Sequence, residues 1–102
     1  MSNGFARLLS EDRRLLILRI LDRAPGSEAN HYILREALDS MGHNVSRDVV
    51  RGELSWLAEQ DLVTVDELEG MAVAQLTGRG HDVAQGRAVV PGVKNTQKPV
   101  GG

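Results

Sequence analysis

The chain has no cysteine among its 102 residues, and its aromatic residues are only Phe5, Tyr32 and Trp56. The first absence excludes a disulfide scaffold, a zinc–thiolate centre, an iron–sulfur cluster and a thiol nucleophile. The second means that a core must be built from Leu, Ile, Val and Ala. No apolar run approaches the ~20 residues that span a bilayer. Met1-Ser2-Asn3-Gly4 has neither the basic region nor the apolar stretch of a secretion signal. A soluble, cytoplasmic protein without membrane contact is the expectation. Charge of one sign is also lacking. The net charge is −2, which argues against a strongly basic nucleic-acid protein. The total hides a gradient, because residues 31–61 and 62–86 each carry −3 while residues 87–102 carry +3.

What is present suffices for one compact domain, with 41% hydrophobic residues. Residues 90–102 hold three glycines, two prolines and no amphipathic period. They are expected to form a disordered tail, leaving residues 1–89 as the domain. Leu15, Leu16, Ile17, Leu18, Ile20 and Leu21 predict a first helix from Ser10, as N-cap, to Ala24, stopped by Pro25-Gly26. Phe5, Leu8 and Leu9 allow an earlier start. A second helix runs from Asn30, as cap, to about Met41, with Gly42 as terminator. A third opens at Ser46 and continues to Gln60 or Asp61, with Val45 and Val50 placed as a hydrophobic staple. A short glycine-containing link between two amphipathic helices is the helix-turn-helix arrangement. The period then changes to that of strands. Leu62–Asp66 and Met71–Leu76 form a hairpin about Asp66–Gly70, and Thr77 caps a last helix, Gly78–Gln85. The fold class predicted is mainly α with a small β-hairpin (α+β). Its architecture is a winged helix-turn-helix of order α-α-α-β-β-α, with a third small strand available from residues 26–30.

Two segments carry a resemblance. Leu54–Val63 (LSWLAEQDLV) resembles the end of the recognition helix and the start of the first wing strand in bacterial winged-helix regulators. Leu76–Ala84 (LTGRGHDVA) is similar to the Leu-Thr-x-x-Gly segment that follows their wing. The likeness covers residues 10–86. Over its whole length the chain resembles a family of small phage and prophage proteins grouped loosely with ArsR-type regulators. The marks are Ser10–Leu15 (SEDRRL), Val45–Arg51 (VSRDVVR) and Val90–Val93 (VPGV). The resemblance implies the fold and a phage association. It does not carry over metal sensing, because the ArsR-type sensors use cysteine ligands.

On a helical wheel of the third helix, Val50, Leu54, Leu57 and Asp61 form the inward side. Asp48, Arg51, Gly52, Ser55 and Glu59 point away, with Arg47 on the flank. The N-terminal part of such a helix meets base edges in the major groove, where a bidentate arginine is worth about 1–3 kcal/mol of discrimination. Asn44 and Ser46, at the helix start, are placed to hold a phosphate through backbone N–H groups. The DNA-binding candidates are therefore Asn44, Ser46, Arg47, Asp48, Arg51 and Ser55. Against them stands an ordinary solvated face in which Asp48 pairs with Arg51. The wing acids Asp66, Glu67 and Glu69 would repel a phosphate backbone. They fit a wing turned from DNA, a surface for a protein partner or, most plainly, a solubilising tip.

The remaining residues read as structural. Arg13 and Arg14 are expected on a solvated face, Arg87, Lys94 and Lys98 on a flexible arm, and Trp56 in the core or at a dimer contact. His31, His43 and His81 lie in separate segments without metal-ligand spacing, and no catalytic set or cofactor motif emerges. The expected function is a phage- or prophage-type DNA-binding transcriptional regulator, not an enzyme, with no metal and no cofactor. Its partners are double-stranded DNA and a second copy, paired through Phe5, Leu8 and Leu9 or through the last helix. The alternative is a protein–protein module in phage assembly or DNA packaging that binds a phage protein and no DNA.

Overall fold

Apolar residues at Leu15, Ile17, Leu18 and Leu21 give the first helix a fully buried side. In the computed structural model, which describes residues 4–97, this helix is α1 (Gly4–Arg23). Its start at Gly4 takes the earlier option that Phe5, Leu8 and Leu9 allowed, and Ser10, assigned as N-cap, lies well inside the helix. A single turn of 3-10 helix follows over Pro25–Ser27, where Gly26 takes φ 67°. The chain continues through β1 (Glu28–Asn30), α2 (His31–Ser40), α3 (Arg47–Glu59), β2 (Val63–Leu68), β3 (Met71–Leu76) and α4 (Gly78–Ala84). The class is α+β, with four helices and a three-stranded antiparallel sheet among the described residues.

The order read from the sequence, α-α-α-β-β-α, is corrected to α-β-α-α-β-β-α. Residues 28–30 enter the sheet as a strand because Glu28, Ala29 and Asn30 pair antiparallel with Gln75, Ala74 and Val73. The sheet order is β1-β3-β2, so the last strand of the hairpin is central. β1 is the third small strand available from residues 26–30, absent from the stated order and fixed here by its pairing with β3. The hairpin is also longer and tighter than expected. Its register runs from Val63 opposite Leu76 to Leu68 opposite Met71. Only Glu69 (φ 52°) and Gly70 (φ 81°) turn the chain, as a two-residue hairpin connection of this hand requires.

Capping chemistry sets the helix starts. The side chains of Asn30, Ser46 and Thr77 accept hydrogen bonds from the N–H groups of Ile33, Val49 and Gly80. After α2 the His43 N–H returns to the Leu38 carbonyl at 2.8 Å while Gly42 takes φ 95°, which closes the helix and begins the turn to α3. The core joins Leu15, Ile17, Leu18 and Leu21 of α1 to Leu34 and Leu38 of α2, and to Val50, Leu54 and Leu57 of α3. Leu62, Val63, Ala72, Ala74, Val83 and Ala84 complete it from the hairpin and α4. Val45, the expected staple residue, packs on this cluster. Asp61, expected on the inward side of α3, is exposed and lies beyond the helix with φ 62°. Gly80 is fixed by close approach: a Cβ there would lie 2.1 Å from the Leu62 carbonyl oxygen.

The tail is a further correction. Val90 and Val93 are buried in the core, and Pro91-Gly92 between them forms a turn in which Val93 N–H reaches the Val90 carbonyl at 3.1 Å. The glycine and proline content that suggested disorder instead directs two valines, three apart, toward the same core. Burying each side chain is worth about 1.5–3 kcal/mol. The domain therefore extends past residue 89, while residues 98–102, with Lys98, lie outside the described residues.

Arg13 and Arg14 are not on a solvated face. Glu53, buried on α3, accepts from Arg13 Nη1 and Arg14 Nε, each at 2.8 Å. Arg14 Nη1 also donates to the Gly92 carbonyl at 3.0 Å, and its guanidinium lies 4.0 Å over the Trp56 ring. This cluster fastens the 90–93 segment, a strap across α1 and α3.

Candidate nucleic-acid interface

Burial of Val50, Leu54 and Leu57 fixes the rotation of α3 and leaves the opposite side of the helix in solvent. Arg47, Asp48 and Ser55 are exposed there, and Arg51 is half-buried at its edge. Ser46 is exposed at the N-cap with its Oγ accepting from Val49 N–H at 3.2 Å. Asn44 is exposed in the preceding turn and lines a shallow polar cleft with Tyr32, Arg35, Glu36, Asp39 and Val45. Arg35 Nε donates to the Val45 carbonyl at 3.2 Å, which ties the turn to α2. The structure thus brings Ser46, Arg47, Asp48, Arg51 and Ser55 onto one helix, with Asn44 in the turn just before it.

The arginines differ in their surroundings. The pairing of Asp48 with Arg51, weighed from their spacing, is replaced by one between elements. Arg51 Nη2 lies 2.7 Å from Glu67 Oε2 on β2. With Arg51 33% and Glu67 53% exposed, solvent screens the pair and it contributes at most ~1 kcal/mol. Its weight is electrostatic, because the cation nearest the hairpin is already matched by an acid. Glu67 is the residue that sequence reasoning missed in this role. The signal was available in the period of β2: Val63, Val65 and Glu67 alternate onto one face, and Val63 and Val65 pack on the core. Glu67 and Leu68, placed in the turn by the sequence, belong to the strand.

Behind this surface lies His31, the first residue of α2 and 0% exposed. Its Nδ1 accepts from Ala72 N–H at 3.0 Å, which places the ring proton on Nε2, and among the described residues that atom has no partner. Burial, followed by the charges of Arg51 and Arg47, holds His31 below the ordinary histidine pKa, with Glu67 opposing. The other two histidines have separate partners. His43 Nε2 lies 2.8 Å from Asp12 Oδ2, and His81 Nδ1 lies 2.6 Å from Asp22 Oδ1. Among the described residues no group of three or more His, Asp or Glu side chains converges as for a metal ion.

The geometry defines a small α+β domain in which two helices joined by a tight turn are followed by an antiparallel hairpin. No family model matches the chain. It is 62% identical over 87 residues to the uncharacterized protein gp26 of Escherichia phage Mu, covering 85% of this chain and 90% of that one. It is 47% identical over 77 residues to an uncharacterized protein of Haemophilus influenzae, covering 74% of each. The chain belongs to this phage-associated family of small proteins. An alignment over 85% of the chain necessarily takes in α2, α3 and the hairpin. No helix of the described residues is long and apolar enough to cross a membrane.

Proposed function

We propose that the chain is a winged-helix DNA-binding protein, a phage transcriptional regulator acting in the cytoplasm of a bacterial or infected cell, with α3 as its major-groove helix. One observation carries the reading. The solvent side of α3 presents Arg47, Asp48, Arg51 and Ser55 from its first turns, next to the β2–β3 hairpin, which this reading takes as the wing. Asn44 and the Ser46 cap stand where a phosphate would approach the helix start. Kinship with ArsR-type regulators is part of this proposal, without metal sensing.

The test is fluorescence anisotropy with random-sequence duplex DNA at about 50 and 200 mM salt, the range over which released counterions set the slope. Micromolar, salt-sensitive binding that weakens about tenfold on joint Arg47→Ala and Arg51→Ala substitution is the expected result. No binding at the lower salt overturns the reading. A specific observation then favours the second one, a protein–protein module in phage assembly or DNA packaging. The Arg51–Glu67 pair and the acids Asp66 and Glu69 beside it give the hairpin a surface suited to a basic protein partner.

A further inference from the structure

Five consecutive residues near the start of α1, Phe5 to Leu9, are all exposed. Five residues circle a helix more than once, so among the described residues this stretch stands largely clear of the body of the protein, with Leu9, 37% exposed, the most covered of its large apolar side chains. It nevertheless carries Phe5, 75% exposed, Leu8, 63% exposed, and Leu9. A helix end that only needed to be soluble would carry polar residues there. Further along, Leu16 and Ile20 of α1 join Met41, 51% exposed, at the end of α2 to line an open apolar groove edged by Arg19 and Arg23. On a helical wheel Phe5, Leu9, Leu16 and Arg23 fall within about 40° of one another, so overhang and groove lie along one side of the same helix.

We propose that the chain pairs with a second copy of itself through an antiparallel α1–α1 contact, each overhang lying in the other protomer's Leu16–Ile20–Met41 groove. Self-complementarity of one patch is what a two-fold, isologous interface requires. With the crossing near Asp12, Phe5 meets Ile20 of the other copy and Leu9 meets its Leu16. The charges select the direction. Arg19 and Arg23 occupy the C-terminal half of this side, while Asp12 sits at the crossing and is held by His43 and Lys94 of its own chain. Antiparallel packing carries the two copies of each arginine to opposite ends of the contact, whereas parallel packing sets each arginine beside its own copy. The area is adequate. Phe5, Leu8, Leu9 and Met41 expose roughly 400 Å², about half of what each partner contributes to a standard interface, and Leu16, Ile20 and the arginine stems supply the remainder.

Sedimentation velocity over a micromolar concentration series, without nucleic acid, tests this independently of any DNA binding. The wild-type chain is expected to sediment at twice its chain mass. Leu8→Glu and Met41→Glu should each raise the dimer dissociation constant at least about tenfold. Thermal melts extrapolated to the monomer should be unchanged for Leu8→Glu, because Leu8 belongs to no core of its own chain. A monomer throughout the series, or a dimer indifferent to Leu8→Glu, overturns the proposal. Because the chain has no cysteine, engineered ones report the orientation. A chain carrying both Leu8→Cys and Met41→Cys should cross-link between protomers on oxidation. Leu8→Cys alone should not, since antiparallel packing separates the two copies of that residue by roughly 13 Å along the axis. Efficient cross-linking of the single variant refutes the antiparallel arrangement.

Discussion

A buried neutral histidine makes stability depend on pH in a window that opens just below the ordinary histidine value of 6.5. In the unfolded chain His31 takes a proton near the ordinary value of 6.5, while in the fold its pKa is lowered, chiefly by burial. Between the folded value and 6.5 the unfolded state therefore binds more protons, so stability falls as pH drops through that window and is complete above it. Asp12 and Asp22 act lower. Asp12 is held below its ordinary 3.8 first by the hydrogen bond with His43, and Asp22 by that with His81. Their contribution is present above 3.8 and lost as pH falls through the lowered values. Urea midpoints measured between about pH 7 and pH 5 should fall for the wild type, and fall less for His31→Gln, whose amide oxygen can still accept from Ala72 N–H. Equal slopes in the two proteins would show that His31 does not supply the proton linkage.

Among the elements, the strap at 90–93 ties the end of the domain to two helices distant in sequence. Gly92 takes φ 100°, and a Cβ there would come within 2.5 Å of the Trp56 ring. Gly92→Ala should therefore cost about 2–4 kcal/mol, from backbone strain and from displacement of Trp56 beneath Arg14. Gly78, where a Cβ meets nothing within 4 Å, should accept alanine without loss and serves as the control. Chemical denaturation compares the two, and amide exchange at Val93 and Lys94 reports whether the strap detaches first. This element was hidden in the sequence for a plain reason. Glu53 lies 40 and 39 positions from Arg13 and Arg14, and Gly92 lies 78 from Arg14, so no local period links them. What was legible was local. The Asn30, Ser46 and Thr77 caps, the Gly42 stop and the inward stripe of α3 each depend on residues within about one turn. Glu67 stood between the two cases: its face was readable from the alternation of β2, its partner Arg51 only from the packing of β2 on α3.

Across the whole molecule, charge decides how a phosphate backbone would meet the proposed interface. The exposed side of α3 offers Arg47 and Arg51, and β2 sets Glu67 against the second of these. Asp66 and Glu69 stand on the same hairpin. Binding to arbitrary duplex should therefore be weak, because sequence-independent affinity comes from cations that displace counterions. Glu67→Gln removes a repelling charge and also releases Arg51 for a phosphate or a base edge. Glu69→Gln removes a charge from the turn, where no ion pair engages it among the described residues. Both changes raise the net charge equally, so any difference between them isolates the released arginine. For random duplex at about 50 mM salt, Glu67→Gln should raise affinity roughly fivefold and Glu69→Gln by less, the gap narrowing by about 200 mM as screening grows. Thermal stability should barely move, since an exposed pair contributes no more than ~1 kcal/mol. Equal gains would mean that only the overall field acts and that Arg51 stays away from the duplex. The gain for Glu67→Gln should also disappear when Arg51 is replaced by alanine in the same chain, because one contact cannot be released twice. That double-mutant cycle ties the affinity to α3.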